Sequence, residues 1–459
     1  MAPKCSPPPV LSALYIWGYN KSGQIAALNV RRCVRVPKRL ASNLFDDVGD
    51  ARIVEVACGL QHTAAVASDG SLFTWGSNEF GQLGDGTEDD RTEPRRVEAL
   101  ENVLVKSVAC GANCTAAICQ PCITSKEDDS PASKLWVWGQ NQESNFPQIF
   151  YGVFSPTIAV IQVACGAAHI AALSELGTIQ SWGYNEYGQL GRGFSCEGRQ
   201  EARLVDKFVS ILDEPPEKVQ ISQIACGDYH TAAISSTGDV YTWGLGHTGQ
   251  LGHRALQSHN REVLPRRVVS LEGVRVTHIA CGGVHTCAVT ESGALYTWGG
   301  GHAGQLGLGS EADTFSCYSN DVSAFARRVP VILVPNGVQH VTCGQCHTLA
   351  AMKDGRLLGW GYNSCGQAAT GKSSYAWYPT PIDWCVGDVR MLAAGGGHSA
   401  VLTQACNLKE LCELKIADLV TPENAPRIKD IALRNHSDAL ARFCGLVRDH
   451  AATGGKEYD

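Results

Sequence analysis

The dipeptide Trp-Gly recurs seven times along the 459-residue chain. A second marker, Gly-x-x-His, alternates with it, and in five copies the tryptophan follows the histidine by 13 residues, as from His62 to Trp75. The step from each tryptophan to the next marker varies instead from 31 to 49 residues. A fixed segment that alternates with an elastic one is typical of a repeat array. The marker residues are Trp17, Trp75, Trp138, Trp182, Trp243, Trp298 and Trp360, then His62, His169, His230, His285, His347 and His398, with Cys114 in the second copy.

Each copy contains a predicted β-hairpin. The apolar runs 62–67 and 72–75 flank Asp69-Gly70, and an Asp-Gly turn between apolar runs strongly favours a hairpin. Small residues after the histidine, such as Ala232 and Ala233, suit a place where strands converge. Units of 44 to 63 residues with several short strands match propeller blades better than solenoid repeats.

The two ends of the array hold complementary halves of one unit. The array opens on a tryptophan half at 14–18 and finishes on a histidine half at 394–402. Seven whole units form only when the termini share one blade, which also pairs the exposed sheet edges. We therefore predict an all-β fold, a closed seven-bladed β-propeller over residues 14–403, preceded by a flexible leader at 1–13.

Residues 404–459 differ in pattern from the array. Apolar residues follow helical spacing within 407–419, Thr421-Pro422 favours a helix start, and 437–447 predicts a last helix. We expect a short helical tail that ends in a disordered segment at 454–457.

Composition limits the compartment and the partners. A net charge of −7 argues against a generally basic nucleic-acid binder. No run of 18 apolar residues occurs, so we expect no membrane span, and the N-terminus lacks an apolar signal-peptide core. We expect an intracellular protein, nuclear and/or cytoplasmic, with reduced cysteines. Six of the 20 cysteines occupy one repeat position, where they pack as small hydrophobes: Cys58, Cys110, Cys165, Cys226, Cys281 and Cys343.

Several motifs match ligand sites but overlap the repeat. The run from Cys343 to His347 matches covalent haem attachment, yet both of these residues hold ordinary repeat positions. Gly244-x-Gly246-x-x-Gly249 matches a dinucleotide fingerprint, but a propeller turn rather than a helix follows it. The marker histidines would lie too far apart to share one metal ion, so we expect each to hydrogen bond with the backbone of a neighbouring blade. We predict no cofactor, no metal and no small-molecule substrate.

Two further features have alternative interpretations. Cys119 and Cys122 occupy the one enlarged hairpin, as part of a mobile acidic loop or, alternatively, as half a zinc site or a redox pair. Basic pairs recur beside prolines, and on equivalent blades they would lie on similar edges. They would then form either a positive partner-binding arc or, as we favour, solvated charges that protect edge strands. The arginine pairs are Arg95 and Arg96, Arg266 and Arg267, and Arg327 and Arg328.

The pattern Gly-x-x-His-Thr, followed by Trp-Gly-x-Asn-x-x-Gly-Gln-Leu-Gly, resembles the repeat of the regulator of chromosome condensation family over residues 14–403. The third unit is the poorest copy, because residues 142–145 replace Gly-Gln-Leu-Gly. The resemblance implies a seven-bladed propeller and three candidate functions: a protein-binding scaffold, guanine-nucleotide exchange on a small GTPase, and ultraviolet-B reception.

Residues at the marker turns favour some of these functions over others. The family's founder uses acidic residues just before marker histidines, and the plant photoreceptor uses tryptophans in Gly-Trp-Arg-His-Thr. Outside the markers only Trp136, Trp377 and Trp384 remain. The residues that directly precede the markers are Gln61, Asn113, Ala168, Tyr229, Val284, Cys346 and Gly397, none of them acidic. At the tryptophan position of the photoreceptor motif, two residues before the histidine, this chain has Asp228, Gly283 and Gln345.

We therefore expect a non-enzymatic scaffold whose loops and tail bind a protein partner, including a chromatin-associated one. Guanine-nucleotide exchange on a small GTPase is the alternative, and ultraviolet-B reception is less favoured. Binding usually resides in variable loops, so the expected partner surface comprises the segments 194–218 and 310–328 and the insert at 126–133.

Overall fold

The chain forms a ring of seven four-stranded antiparallel sheets in the computed structural model. The innermost strand of each sheet lies beside the innermost strands of its two neighbours, so the ring is closed. This confirms the predicted seven-bladed β-propeller. The described residues are 12–27, 32–41, 44–45, 52–121, 133–140, 145–152, 154–155, 157–209, 218–254, 260–309, 326–371, 374–382, 388–404, 416, 419–421, 423–434, 437, 440–441 and 444.

Blade 1 combines the two ends of the array. It holds β1 (Ser12–Tyr19), β2 (Cys33–Arg39), β27 (Asp388–Ala394) and β28 (His398–Gln404), in the order β2-β1-β28-β27. In the β1–β28 pair, Trp17 lies opposite Ser399 and Gly18 opposite His398. The termini therefore share a blade as predicted, and the first strand begins at Ser12.

The other six blades follow in chain order. Blade 2 has β3 (Ile53–Cys58), β4 (His62–Ala67), β5 (Leu72–Gly76) and β6 (Arg91–Arg96); blade 3 has β7 (Val103–Cys110), β8 (Cys114–Pro121), β9 (Lys134–Gly139) and β10 (Gln148–Ile149); blade 4 has β11 (Val160–Cys165), β12 (His169–Ser174), β13 (Ile179–Asn185) and β14 (Cys196–Val205). Blade 5 has β15 (Ile221–Cys226), β16 (His230–Ser235), β17 (Val240–Leu245) and β18 (Arg261–Arg267); blade 6 has β19 (Val276–Cys281), β20 (His285–Thr290), β21 (Leu295–Gly300) and β22 (Ala326–Val334); blade 7 has β23 (Val338–Cys343), β24 (His347–Met352), β25 (Leu357–Tyr362) and β26 (Tyr375–Ile382).

The core lies between blades and combines large and small side chains. Alanines such as Ala64 and Ala65 are fully buried in the second strand of a blade, where neighbouring sheets come closest. The marker tryptophans fill the wider space nearer the rim, and each is at most 2% exposed. Such aromatic side chains dominate the energetics of a core because each buries a large apolar area.

The tail packs on the shared blade. Helix α1 (Ala425–Arg434) places Ala425 and Ala432 in the same buried cluster as Tyr15 of β1. Its start is capped reciprocally, since the Asn424 amide N–H donates to Thr421 Oγ1 and the Thr421 N–H donates to Asn424 Oδ1. The helix predicted at 407–419 and the disordered end at 454–457 lie almost entirely outside the described residues, as does most of 437–447.

One cysteine pair departs from the expectation of reduced thiols. The structure joins Cys33 on β2 to Cys365 in the turn after β25 by a disulfide, with a Cα–Cα distance of 5.0 Å. The turn of blade 7 packs directly on β2, as a Cβ atom added to Gly366 would lie 2.3 Å from the Arg35 Cα. This contact between blades brings together two cysteines that are 332 residues apart in sequence. Among the described residues, none of the helices is long and apolar enough to cross a membrane.

Candidate functional site

The two sequence markers meet on one face of the ring. In every hairpin that carries a marker histidine, this residue lies opposite the glycine of Trp-Gly, as His62 does opposite Gly76. The turns before the histidine and after the glycine therefore project from the same end of each blade. We call this end the histidine face.

Marker residues of adjacent blades form a hydrogen-bonded relay. At the boundary between blades 5 and 6, His230 Nε2 lies 3.0 Å from Thr286 Oγ1, and this hydroxyl donates to the Gln250 carbonyl oxygen at 2.8 Å. The Trp298 indole N–H donates to the same oxygen at 2.9 Å. Because the threonine has a single hydroxyl proton and gives it to the carbonyl, the imidazole must donate from Nε2.

Six of the seven boundaries contain this relay. Its members, in ring order, are His398, Thr63, Gln24 and Trp75; His62, Thr115, Gln82 and Trp138; His169, Thr231, Gln189 and Trp243; His230, Thr286, Gln250 and Trp298; His285, Thr348, Gln305 and Trp360; His347, Ser399, Gln367 and Trp17. The glutamine always stands seven residues after a marker tryptophan.

The relay corrects the expected partner of the histidines. Each imidazole bonds to a hydroxyl side chain of the next blade rather than to its backbone, and the backbone oxygen accepts from that hydroxyl. Burial lowers the pKa of His62 to about 4 and that of His230 to about 3. The neutral ring is thus fixed in one tautomer. In the described residues, these histidines serve to join blades, and their Nδ1 atoms have no hydrogen-bond partner.

The boundary between blades 3 and 4, called boundary 3/4 below, lacks every polar group that would close the relay. Cys114 replaces the histidine, and Ile170 replaces the threonine. Asn145 stands where the glutamine belongs, but its carbonyl accepts from the Gly86 N–H on blade 2. Trp182 is 2% exposed. Its indole N–H consequently has no hydrogen-bond acceptor in the described part of the chain.

A small open cleft lies at boundary 3/4. Its wall combines the thiol of Cys114, the ring of Trp182 and the guanidinium-bearing Arg199 with the amides of Asn113 and Gln140. Phe150 stacks on the Trp182 ring at a centroid distance of 4.2 Å and holds the indole in place.

Exposed aromatic side chains also gather on the histidine face. Tyr362, the residue after Trp-Gly in blade 7, lies 5.6 Å from Tyr375, and Tyr375 stacks on Trp377 at 5.5 Å. These three rings form what we call the aromatic patch. The sequence analysis missed it. The signal was the alternation Tyr-Ala-Trp on β26, in which only Ala376 is buried.

A second aromatic pair lies on the same face beside a marker histidine. The rings of Tyr187 and Tyr229 are 5.3 Å apart and meet edge to face. Tyr229 is 39% exposed, whereas the adjacent His230 is fully buried. The residue before a marker therefore faces outward, so this position supplies side chains to the histidine face.

The arginine pairs do not occupy equivalent positions. Arg95 lies opposite Thr74 and Arg266 opposite Thr242, but Arg327 lies opposite Gly299, at the other end of its outer strand. Arg96 and Arg267 occupy equivalent positions on the outer strands of their blades, opposite Phe73 and Tyr241. Arg328 is the residue after Arg327. A single positive arc on similar edges is therefore wrong.

Two of these arginines are also engaged within the protein. Arg266 is buried, and its Nη1 lies 2.7 Å from a Glu262 carboxylate oxygen. Arg267 Nη2 lies 2.6 Å from an Asp239 carboxylate oxygen. Partial desolvation of Asp239 acts to raise its pKa, but the hydrogen bonds from Thr237 and Arg267 and the charge of Arg267 outweigh this effect and lower it. Arg95 and Arg328 are exposed.

The motifs that resemble ligand sites belong to the repeat structure. Cys119 is buried on β8, while Cys122 lies outside the described residues. His285, Cys287 and Cys343 bring three potential metal ligands within 4.8 Å of one another. All three have hydrogen-bond partners: Thr348 for His285, Thr297 for Cys287 and the Ala280 carbonyl for Cys343.

The structure describes only part of the segments that are expected to bind a partner. Ten residues of 194–218 form strand β14 (Cys196–Val205) rather than loop, and 210–217 lie outside the described part. The residues 310–325 and 126–132 lie outside the described part.

Comparison with known proteins decides the family. The model of the regulator of chromosome condensation (RCC1) repeat matches residues 13–66, 69–118, 177–234, 237–289, 292–351 and 354–402. The chain belongs to the RCC1 repeat family. A second RCC1 repeat model matches residues 160–189, which include the inner strands of blade 4. The two models together leave 119–159 unmatched, the segment that contains blade 3's variant turn.

Relatives of this RCC1-repeat chain differ in what surrounds the propeller. The ultraviolet-B receptor UVR8 of Arabidopsis thaliana is 32% identical over 369 residues, 78% of this chain and 76% of the receptor. The probable E3 ubiquitin-protein ligase HERC4 of Mus musculus is 31% identical over 360 residues, which are 78% of this chain but 31% of the ligase. A crystal structure of Prp20p from Saccharomyces cerevisiae, described with its binding to Gsp1p and histones, superposes with a TM-score of 0.70 at 21% identity and covers 87% of this chain and 93% of that one.

Proposed function

We propose that this RCC1-repeat propeller is a non-enzymatic scaffold that binds a protein partner on its histidine face. The aromatic patch is the observation that carries the proposal. Tyrosine and tryptophan are enriched at protein interfaces and among the residues that contribute most to binding. Tyr362 and Tyr375 are 36% and 40% exposed.

The conserved polar groups of the repeat are otherwise engaged. In the described residues the marker histidines, hydroxyls and tryptophans join blades, which leaves no buried nucleophile-and-base pair on the face. The net charge of −7 favours a basic protein partner over a nucleic acid, so a chromatin-associated partner of the histone class suits the surface. The proposal places the chain in the nucleus and/or cytoplasm, without cofactor or small-molecule substrate.

Guanine-nucleotide exchange on a small GTPase is the alternative. Its support is the shared fold with Prp20p, whose structure is described with binding to Gsp1p. Directly before the marker histidines the chain has residues such as Gln61, Tyr229 and Val284 rather than acids. Ultraviolet-B reception finds less support, because the tryptophan position of the photoreceptor motif, two residues before the histidine, holds Asp228, Gly283 and Gln345.

A paired-variant capture experiment tests the proposal. The intact chain and a Tyr362→Ala, Tyr375→Ala variant are used as baits with core histones, a small GTPase and an extract of the source cells. Loss of the two rings should weaken capture of the main partner at least about tenfold. Leu176→Ser is the matched control, since Leu176 is 55% exposed at the hairpin turn on the opposite face.

The same proteins separate the two functions. Release of a fluorescent guanine nucleotide from the GTPase should not accelerate when the chain is added. Accelerated release that is abolished in the patch variant would instead establish exchange. Equal capture by the intact chain and the patch variant would remove the histidine face from consideration.

A further inference from the structure

The boundary between blades 6 and 7, called boundary 6/7 below, contains three metal-ligand side chains in its core. His285 and Cys287 are two residues apart on β20, so their side chains project from the same side of that strand. Cys343 ends β23, the inner strand of blade 7. One ligand atom from each residue lies within 4.8 Å of the other two. The cluster therefore spans two blades, and its members are at most 8% exposed.

Cys287 distinguishes this boundary from the others. His285 and Cys343 hold repeat positions, whereas Cys287 stands two residues after the marker, where the other blades carry alanine or leucine. Among the six boundaries with a marker histidine, only this one therefore places two thiols beside the imidazole. The residues that stand in the place of Cys287 in the other blades are Ala64, Ala116, Ala171, Ala232, Leu349 and Ala400.

The donor set matches a zinc ion. Two thiolates and one neutral imidazole are ligands that Zn²⁺ favours. Two thiolates also cancel the charge of a divalent ion, so the loaded site is neutral, as its burial requires. Burial lowers the pKa of His285 to about 3, which keeps the ring in the neutral form that coordinates a metal. Without an ion, burial raises the pKa of Cys343 and keeps its thiol protonated.

The spacing of the ligand atoms suits this ion after a small adjustment. Zn–S bonds of about 2.3 Å and Zn–N bonds of about 2.0–2.1 Å place tetrahedral ligands about 3.6–3.8 Å apart. Atoms that lie within 4.8 Å of one another need to approach by about 1 Å at most. The thiols are held only by weak sulfur hydrogen bonds, from Cys287 to the Thr297 hydroxyl at 3.8 Å and from Cys343 to the Ala280 carbonyl oxygen at 3.7 Å.

We propose that His285, Cys287 and Cys343 bind one zinc ion that joins blades 6 and 7. The Thr348 hydroxyl contacts both His285 and Cys343, and it supplies an oxygen for the fourth position. Each thiol releases one proton to water as the ion binds, and no electron is transferred. Marker histidines of different blades lie too far apart to share an ion, whereas this site takes a single marker histidine and two thiols.

The zinc content of the full chain tests the site. The intact chain, produced in zinc-supplemented medium and purified under reducing conditions, should retain about one more zinc ion per molecule than Cys287→Ala. This substitution installs the residue that most other blades carry, so it removes a ligand with little change in packing. Cys226→Ala, which removes a repeat thiol at another boundary, is the matched control and should retain as much zinc as the intact chain. Equal zinc content in the intact chain and Cys287→Ala would overturn the proposal.

Two further measurements separate coordination from packing. Co²⁺ supplied in place of Zn²⁺ should give a thiolate-to-metal charge-transfer band in the intact chain that is reduced in Cys287→Ala. Prolonged treatment with a chelator should lower the melting temperature of the intact chain by several degrees and leave that of Cys287→Ala unchanged. A melting temperature of the intact chain that does not respond to the chelator would contradict a bound ion.

The repeat allows the site to be rebuilt at a second boundary. At the boundary between blades 5 and 6, the equivalent residues are His230, Ala232 and Cys281. Ala232→Cys completes the same set there and should add about one further zinc ion per chain. Absence of this gain in a variant with an unchanged circular dichroism spectrum would overturn the proposal, as would recovery of Cys287 and Cys343 as a disulfide in place of the ion.

Discussion

Six blade boundaries and boundary 3/4 solve the same packing problem in different ways. At the six, one glutamine carbonyl accepts from a hydroxyl and an indole, and the hydroxyl accepts from an imidazole. At boundary 3/4 the carbonyl is missing, and Cys114 and Ile170 have replaced the two groups that depended on it. A buried polar group without a partner costs about 1–3 kcal/mol, so loss of the acceptor makes its former partners unfavourable.

This difference explains what the repeat signature is for. Histidine, a hydroxyl residue and glutamine occur together at six boundaries because each satisfies another across the boundary, and all three are absent at boundary 3/4. Trp182 alone remains, since its ring still fills the space between blades while its N–H goes without an acceptor.

Removing residues 1–24 should have the largest effect. The deletion takes away Trp17 and the Gln24 carbonyl, and therefore breaks the relays at both sides of blade 1 as well as the β1–β28 pairing. We expect loss of the cooperative unfolding transition, followed by circular dichroism during heating. A truncated chain that melts within about 2 °C of the intact one would show that closure does not depend on this strand.

Acidification should weaken the six relays but not boundary 3/4. The marker histidines have a pKa near 6.5 when unfolded and about 3 to 4 when folded, so the unfolded state binds more protons between these values. Their contribution is complete above about pH 6.5 and falls as the pH falls, by about 1.4 kcal/mol per pH unit for each histidine. Denaturant unfolding between pH 4.5 and 6.5 measures the slope.

A histidine variant separates this effect from that of titrating carboxylates. His230→Gln should reduce the slope by about one proton, whereas Cys114→Gln should leave it as it is. Identical slopes for the intact chain and the His230 variant would mean that the imidazole is not buried in its neutral form.

Single substitutions at the two kinds of boundary should differ in cost. His230→Ala leaves the Thr286 hydroxyl without its donor and removes packing at a fully buried position, so we expect a loss of about 1–3 kcal/mol in the free energy of unfolding. Cys114→Ala should cost less than about 1 kcal/mol, because a partly exposed side chain outside any relay is shortened. Urea midpoints at constant slope provide the comparison.

The smallest expected effect concerns the indole N–H. Trp243→Phe and Trp182→Phe remove similar volume, but only the first removes a hydrogen bond, that with the Gln189 carbonyl. Trp243→Phe should therefore be the more destabilising by about 1 kcal/mol. Equal losses in thermal unfolding would indicate that Trp182 has an acceptor.

Much of the fold was predictable because the same sequence pattern occurs in several copies. The hairpin at Asp69-Gly70 and the complementary halves around Trp17 and His398 were sufficient for blade number and closure. The acceptor of His230 was not predicted correctly, because which atom of the next blade lies across from it depends on how closely the sheets approach. Thr286, one residue after the next marker, was the available signal.

The outer strands were less predictable than the inner ones. Strand β14 is largely exposed and rich in charged residues, so its sequence resembles a loop. Because the outer strands are exposed, their sequences also do not indicate the pairing register. The sequence therefore did not reveal that Arg327 lies at a different position on its strand from Arg95 and Arg266. Tyr362 and Tyr375 meet only through pairing of β25 with β26 across a long connection, which a local pattern cannot reveal.

A pair of double-mutant cycles tests the relay most directly. One cycle combines His230→Ala with Thr286→Val, and the other combines Cys114→Ala with Ile170→Val, each followed by urea unfolding. The account predicts a coupling energy of at least about 1 kcal/mol for the first pair and one within about 0.5 kcal/mol of zero for the second. Equal coupling at both boundaries, or none between His230 and Thr286, would contradict it.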